Sequence, residues 1–291
     1  MNHPELQTYR APAPELPRSQ YAADRPRDYL WNQLTELPYF RALLRAVESR
    51  FYEDLPVLAP VLDLGSGDGS FARQTFTKPL DAGIDPWWGP TLEAKAVHHH
   101  HLLALAQGGQ MPFADASFQT VVSNSVLEHI PDLDPVINEV ARVLKPGGYL
   151  LFCSPSDHFT DWLLGARILG DRYRHWFNRI SRHQHCDSPA VWRSRLVNAG
   201  LTVERIWYYF SPHALRALEL GHYFGLPNLV SKKLFNRWVL LPGYANPFLR
   251  FLYTTLKPIY NEPLGDTGAY LFGVARKPAA ALRHVMNRIA A

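Results

Sequence analysis

Cysteine is scarce in this sequence: two residues, Cys153 and Cys186, in a chain of 291, with no CxxC spacing between them. Neither a disulfide framework nor a cysteine-based zinc site is indicated, and a reducing cytoplasm is the expected setting. Long apolar runs are also missing. Spanning a bilayer takes about 20 apolar residues in succession, and the nearest approach, residues 238–253, is broken by Pro242, Asn246, Pro247 and Arg250. The opening Met1-Asn2-His3-Pro4-Glu5-Leu6 lacks the apolar core of a signal peptide. Charge of one sign is little in excess, 30 Lys+Arg against 26 Asp+Glu, a net of +4. That excludes a polybasic tail and argues against nucleic acid as the partner. No internal repeat or low-complexity tract occurs.

The sequence is rich in hydrophobic residues, at 47%, with 13% aromatic, enough to bury a large core. Residues 1–26 carry prolines 12, 14, 17 and 26 and read as a loosely ordered arm. Residues 27–54 form an N-terminal helical region, because Phe40, Leu43, Leu44, Val47 and Phe51 after Pro38 make one apolar helical stripe. Residues 55–153 alternate strands and helices. Val57 to Leu64 is a strand ending in a glycine turn, and Leu80 to Asp85 is a second. Thr120 to Ser123 is a third, and a helix opened by Asp134-Pro135 then leads through Lys145-Pro146-Gly147-Gly148 into Tyr149 to Cys153. This alternation predicts a doubly wound, Rossmann-like, mostly parallel sheet with helices on both faces. Insertions at 154–187 and 211–267 are expected to form a helical lid. Residues 188–210 supply a further helix and strand of the core, and residues 268–291 a final strand and tail.

The chemistry starts at the turn Gly65-Ser66-Gly67-Asp68-Gly69, preceded by Asp63 on its strand. Glycines let a backbone approach a ligand closely, and the next helix presents N–H groups there. A nicotinamide fingerprint places its third glycine one residue later, where Ser70 stands, so an oxidoreductase is disfavoured. The second strand ends in Asp85, a position suited to a ribose. Met111-Pro112-Phe113, Leu127-Glu128-His129 and Arg142-Val143-Leu144-Lys145-Pro146-Gly147-Gly148 follow in order.

In that order these segments resemble the class I S-adenosylmethionine-dependent methyltransferases, in the branch that methylates small molecules, quinones and lipids. The resemblance covers roughly residues 55 to 155 and implies a seven-stranded sheet with S-adenosyl-L-methionine as cofactor. It implies that Asp63 and Gly65 border the methionine moiety, that Gly67 lets the chain pass the cofactor closely with Ser66 in the same cofactor-binding turn, and that Asp85, with Pro86 beside it, takes the ribose hydroxyls. Trp87 would lie against adenine, although packing is an equal alternative for it. Gln107 and Gly108 stand where the family carries an aspartate for the adenine amino group, and a glutamine carbonyl can accept there too. Asn124 and Ser125 would line the sulfonium. His129 would face the transfer pocket, with Asp157, His158, His183 and His185 as further candidates for a base. No metal site is expected, since the tract His98 to His101 lacks accompanying carboxylates or cysteines and reads as a solvated edge.

Both insertions mix aromatic with basic residues. That composition suits a small-molecule or lipid-like acceptor bearing an anionic group, or peripheral contact with the inner face of a membrane. A plain alternative is a small helical core with a solvated arginine face, and single-stranded RNA is disfavoured for want of a recognised module. The leading expectation is an enzyme that moves a methyl group in line from sulfonium to acceptor. The alternative is a non-catalytic module of the same fold that docks on a membrane or a partner. The sequence carries no signal for an oligomeric state.

Overall fold

The computed structural model describes residues 16–25, 27–235 and 237–279. Most of the N-terminal arm therefore lies outside the described residues, but its last part is anchored. Tyr21 is buried, and its hydroxyl donates to Asp81 Oδ2 at 2.9 Å, an oxygen that also accepts from Val61 N at 2.7 Å. Asp28 caps the first helix, α1 (Tyr29–Leu34), by accepting from Trp31 N. Pro38 then precedes α2 (Tyr39–Phe51), whose apolar stripe is buried as the 3.6-residue spacing requires.

The core alternates as expected: β1 (Val61–Leu64), α3 (Ser70–Thr75), β2 (Leu80–Asp85), α4 (Trp88–Val97), β3 (His100–Leu105) and β4 (Phe118–Asn124). A single 3₁₀ turn, Leu127–His129, leads to α5 (Asp134–Val143) and β5 (Leu144–Pro155). The first strand is shorter than the apolar run suggests, since Pro56 and Pro60 have no N–H to give a ladder. The first insertion supplies α6 (Leu164–Leu169) and α7 (Asp171–Ser181). The core resumes with α8 (Pro189–Asn198), capped by Ser188, and β6 (Thr202–Tyr209). The second insertion supplies α9 (Pro212–Phe224), α10 (Leu226–Phe235) and α11 (Pro247–Tyr260) before the final β7 (Tyr270–Arg276).

The seven strands form one sheet in the order β3-β2-β1-β4-β5-β7-β6. Neighbours from β3 to β5 are parallel, and β7 runs antiparallel between β5 and β6. The strand order reverses between β1 and β4, which opens a crevice at the carboxyl edge, where ligands of such sheets bind. One apolar cluster on the sheet gathers α1, α2 and the lid helices, including Leu43, Tyr52, Phe177, Leu215 and Phe272. The other gathers α5 and α8, with Trp192 buried against Phe152 at 4.5 Å between ring centroids. Because β6 is parallel to β5, both insertions leave from the carboxyl edge. They rise on the same side as the crevice, and Glu219 of α9 joins them by accepting from Leu164 N, Gly165 N and Tyr173 Oη at 2.5–2.9 Å.

Candidate active site

The turn after β1 is held in shape by the neighbouring strand. Gly65 N and Ser66 N both donate to Ile84 O, at 2.8 and 2.9 Å, and Gly67 N donates to Asp85 Oδ2 at 3.0 Å. Gly65, Gly67 and Gly69 all have positive φ, so L side chains would strain the turn at each. A Cβ on Gly65 would also strike Val126, 2.5 Å away, whereas space above Gly67 is open. Register sets Asp63 opposite Gly83, and Asp85 stands two residues beyond that rung. The two carboxylates and the glycines thus flank one crevice. Both carboxylates are nearly buried, and Ser66 Oγ is a buried polar atom with no partner. Acceptor oxygens at both ends and a bare backbone between them fit a nucleoside with an amino-acid tail.

Asp63 also has a partner that the strand pattern hides. The His100 side chain is fully buried and its Nε2 lies 2.9 Å from Asp63 Oδ2. The solvated-edge reading of the histidine tract therefore holds for exposed His101 but not for His100. His100 reaches across β2 because residue 83 is glycine: a Cβ there would meet the imidazole at 2.9 Å. A glycine in a strand commonly marks such a close approach.

Asp85 Oδ1 accepts from Trp87 N at 2.9 Å, so Pro86 and Trp87 turn directly over the carboxylate. The Trp87 ring is 70% exposed and packs on no other ring among the described residues. Gln107 and Gly108 follow the end of β3, where Ala106 N donates to Asp85 O. Gln107 is exposed and Gly108 packs against Leu64 and Val136.

At the end of β4, Asn124 and Ser125 meet a residue that the sequence reading missed. Glu48 of α2 is completely buried. It accepts from Asn124 Nδ2 at 2.6 Å, Tyr209 Oη at 2.8 Å, Arg45 at 3.0 Å and Ser125 Oγ at 3.2 Å. A charge in an amphipathic helix normally faces water, and the sequence offers only a weak hint, since Glu48 adjoins Val47 of the buried stripe. Cys153 donates to Asn124 Oδ1 at 3.3 Å, and burial raises the thiol well above its ordinary value.

Glu128 is buried beside this network, and its Oε2 has no hydrogen-bond partner. Burial raises its carboxyl to about 8, although its own backbone N–H and the Arg45 charge act the other way. Its carbonyl oxygen accepts from Gln184 N at 2.7 Å and His185 N at 3.3 Å, tying the segment after α7 to the turn after β4. The histidines divide accordingly. His129 is exposed, stacks on His183 at 5.8 Å and lies 3.0 Å from Arg182 O through Nδ1. Partial desolvation by the packed surroundings lowers His129 even though its outer edge is open to solvent, and burial lowers His183 to about 3. His185 bonds through Nε2 to Ile130 O at 3.0 Å. His158 sits apart, stacked on Trp162 and facing Tyr208.

Known proteins resemble this arrangement. A family model described as a methyltransferase domain matches residues 62–152. An uncharacterized methyltransferase of Mycobacterium sp. (strain JLS) is 34% identical over 136 residues, covering 42% of this chain and 52% of that protein. A ubiquinone biosynthesis O-methyltransferase of Idiomarina loihiensis is 29% identical over 137 residues, covering 43% and 53%. The chain spans about half the length of these curated relatives. Among solved structures, the [4+2]-cyclase SpnF superposes with a TM-score of 0.52 at 16% identity, over 91% of this chain and 89% of that one, which speaks to the fold alone. The matched segment carries both carboxylates and the glycine turn, so residues 62–152 of this chain are similar to a methyltransferase domain.

Proposed function

We propose that the protein transfers a methyl group from S-adenosylmethionine to an apolar small molecule or lipid-like metabolite, one that can carry an anionic group. The observation that carries this reading is the joint placement of Asp63, the positive-φ glycine turn and Asp85 at the carboxyl edge of β1 and β2. Asp63 would receive the ammonium group of the methionine moiety and Asp85 the ribose hydroxyls, while Gln107 and Gly108 would border adenine. When bound, the cofactor supplies a methyl group already activated on sulfur. The remaining work is alignment and exclusion of water.

Asn124 and Ser125 would line the sulfonium, held still by Glu48. Glu128 is the group best suited to hold the acceptor's proton. It is buried, has a free oxygen, and titrates near the range of an acidic hydroxyl. His129 and His183 favour the neutral form and would shape the pocket wall beside it. An oxygen acceptor agrees with the O-methyltransferase relatives.

Titration calorimetry with S-adenosylhomocysteine tests the reading. Binding with micromolar affinity is expected, and an absence of heat and of thermal shift at millimolar ligand would refute it. Asp85→Ala should weaken that binding by about a hundredfold, since two hydroxyls lose a charged acceptor, and unchanged affinity would remove Asp85 from the ribose role. The acceptor itself is found by incubating cell extracts with methyl-labelled cofactor and identifying the labelled metabolite by mass spectrometry.

A further inference from the structure

The second insertion is built inside out. Among its described side chains, the residue of α10 that is buried is Ser231, while Leu229, Val230, Leu234 and Phe235 face solvent, Leu234 at 68% exposure. In α11 the inner face holds Leu249, Leu256 and Ile259, yet the outer face carries Phe248 and Phe251 where a surface helix should be polar. The connection between them exposes Leu240, Leu241 and Tyr244, with Leu241 at 72%.

These pieces are held in one body. Asn228 Nδ2 donates to Trp238 O, Ser231 Oγ to Arg237 O and Asn246 Nδ2 to Leu241 O, at 2.6–2.9 Å. Tyr244 stacks on Trp31 at 4.2 Å, fixing the connection to α1. A cluster of exposed apolar side chains of this kind marks an interaction site.

Charge decides what covers it. From residue 220 to residue 261 there is no Asp or Glu, although the chain has 26 acids in 291 residues, and the same stretch holds Lys232, Lys233, Arg237, Arg250 and Lys257. Glu93 pairs with Lys232 and Asp28 with Lys257. Lys233, Arg237 and Arg250 are exposed and have no ion-pair partner among the described residues. Apolar side chains that can enter an acyl layer, interleaved with lysines and arginines whose heads stay at its surface, match an anionic lipid bilayer.

We infer that α10, residues 237–246 and the outer face of α11 form a docking surface for an anionic membrane, on which the protein rests without crossing it. No helix among the described residues is long and apolar enough to span a bilayer. This inference does not need the methyl-transfer reading, and the two fail separately.

Vesicle flotation with the full chain is the test. Binding is expected to vesicles of phosphatidylcholine with about one third phosphatidylglycerol, to weaken at high salt, and to be at least about tenfold weaker with phosphatidylcholine alone. Leu234→Glu with Phe235→Glu should abolish it, and Lys233→Glu with Arg250→Glu should cost about tenfold. An unchanged far-ultraviolet circular dichroism spectrum and melting temperature in each variant show that the fold is intact. Failure of the wild type to float with anionic vesicles would overturn the inference, as would equal binding to neutral ones. So would a dimer, seen by light scattering, that the Leu234/Phe235 variant breaks while no vesicle binding is detected, since a second copy would then cover the surface.

Discussion

Glu128 holds a carboxyl whose proton matters both to stability and to the proposed chemistry. Folded, it titrates at about 8 against an ordinary 4.5, so between those values the folded chain keeps a proton that the unfolded chain releases. Its contribution is intact below about pH 4.5 and falls away as pH rises toward 8. Melting temperatures followed from acid to mildly alkaline pH should therefore decline less in Glu128→Gln than in the wild type, and identical slopes would contradict the assignment. If Glu128 takes the acceptor's proton, kcat should rise with pH through the same region, and the glutamine variant should lose activity about a hundredfold or more with little change in cofactor affinity. His183 has the opposite sign. Its imidazole titrates near 3 instead of 6.5, so its contribution is complete above 6.5 and is lost as pH falls through that interval. His183→Phe keeps the ring contact with Phe159 and should flatten the acid limb of the stability profile.

At the scale of elements, α2 does more than cover the sheet. By carrying Glu48 beneath Asn124 and Ser125 it joins the N-terminal helical region to the ends of β4 and β6. Glu48→Ala leaves Arg45, Asn124 and Tyr209 without their shared acceptor, and denaturant titration should show a loss of about 3–5 kcal/mol. A loss under 1 kcal/mol would mean that these donors find other partners. The lid depends on a close approach of helices: a Cβ on Gly221 of α9 would come within 2.4 Å of Phe40 Cβ on α2. Gly221→Ala is expected to cost about 1–3 kcal/mol by overpacking, despite the higher helix propensity of alanine. If the variant is instead more stable, α9 can shift away from α2 without cost. Neither Glu48 nor Gly221 stands out along the chain, because an acid in an amphipathic helix and a glycine in a helical run each read as ordinary until the facing element is known.

For the whole molecule, the crevice lies between strands that belong to one sheet, so filling it should stabilise everything the sheet holds together. Saturating S-adenosylhomocysteine at a hundred times its dissociation constant is worth about 2.7 kcal/mol, a rise in melting temperature of roughly 5–10 °C for a domain of this size. Calorimetric scans with and without ligand check this, and Asp85→Ala should cancel most of the shift. A wild-type transition unmoved by ligand would count against the crevice as the binding site.

Strand, glycine turn, helix and acid follow one another within about 25 residues from Asp63 to Asp85, and contiguous chain chemistry was enough to define them: periodicity gave the elements, glycine gave the turn, and the acids fell at strand ends. The mostly parallel sheet was legible for the same reason, since strands alternating with helices admit few arrangements, whereas the order of its strands came from the tertiary structure. Contacts across the sheet were decided only by the tertiary structure. His100 reaches Asp63 over Gly83, Glu48 reaches Asn124 and Tyr209 from 76 and 161 residues away, and Glu128 loses its solvent to a segment after α7. Desolvation and hydrogen bonding depend on which surfaces meet, and a sequence pattern records the face a residue occupies without recording what will be pressed against it.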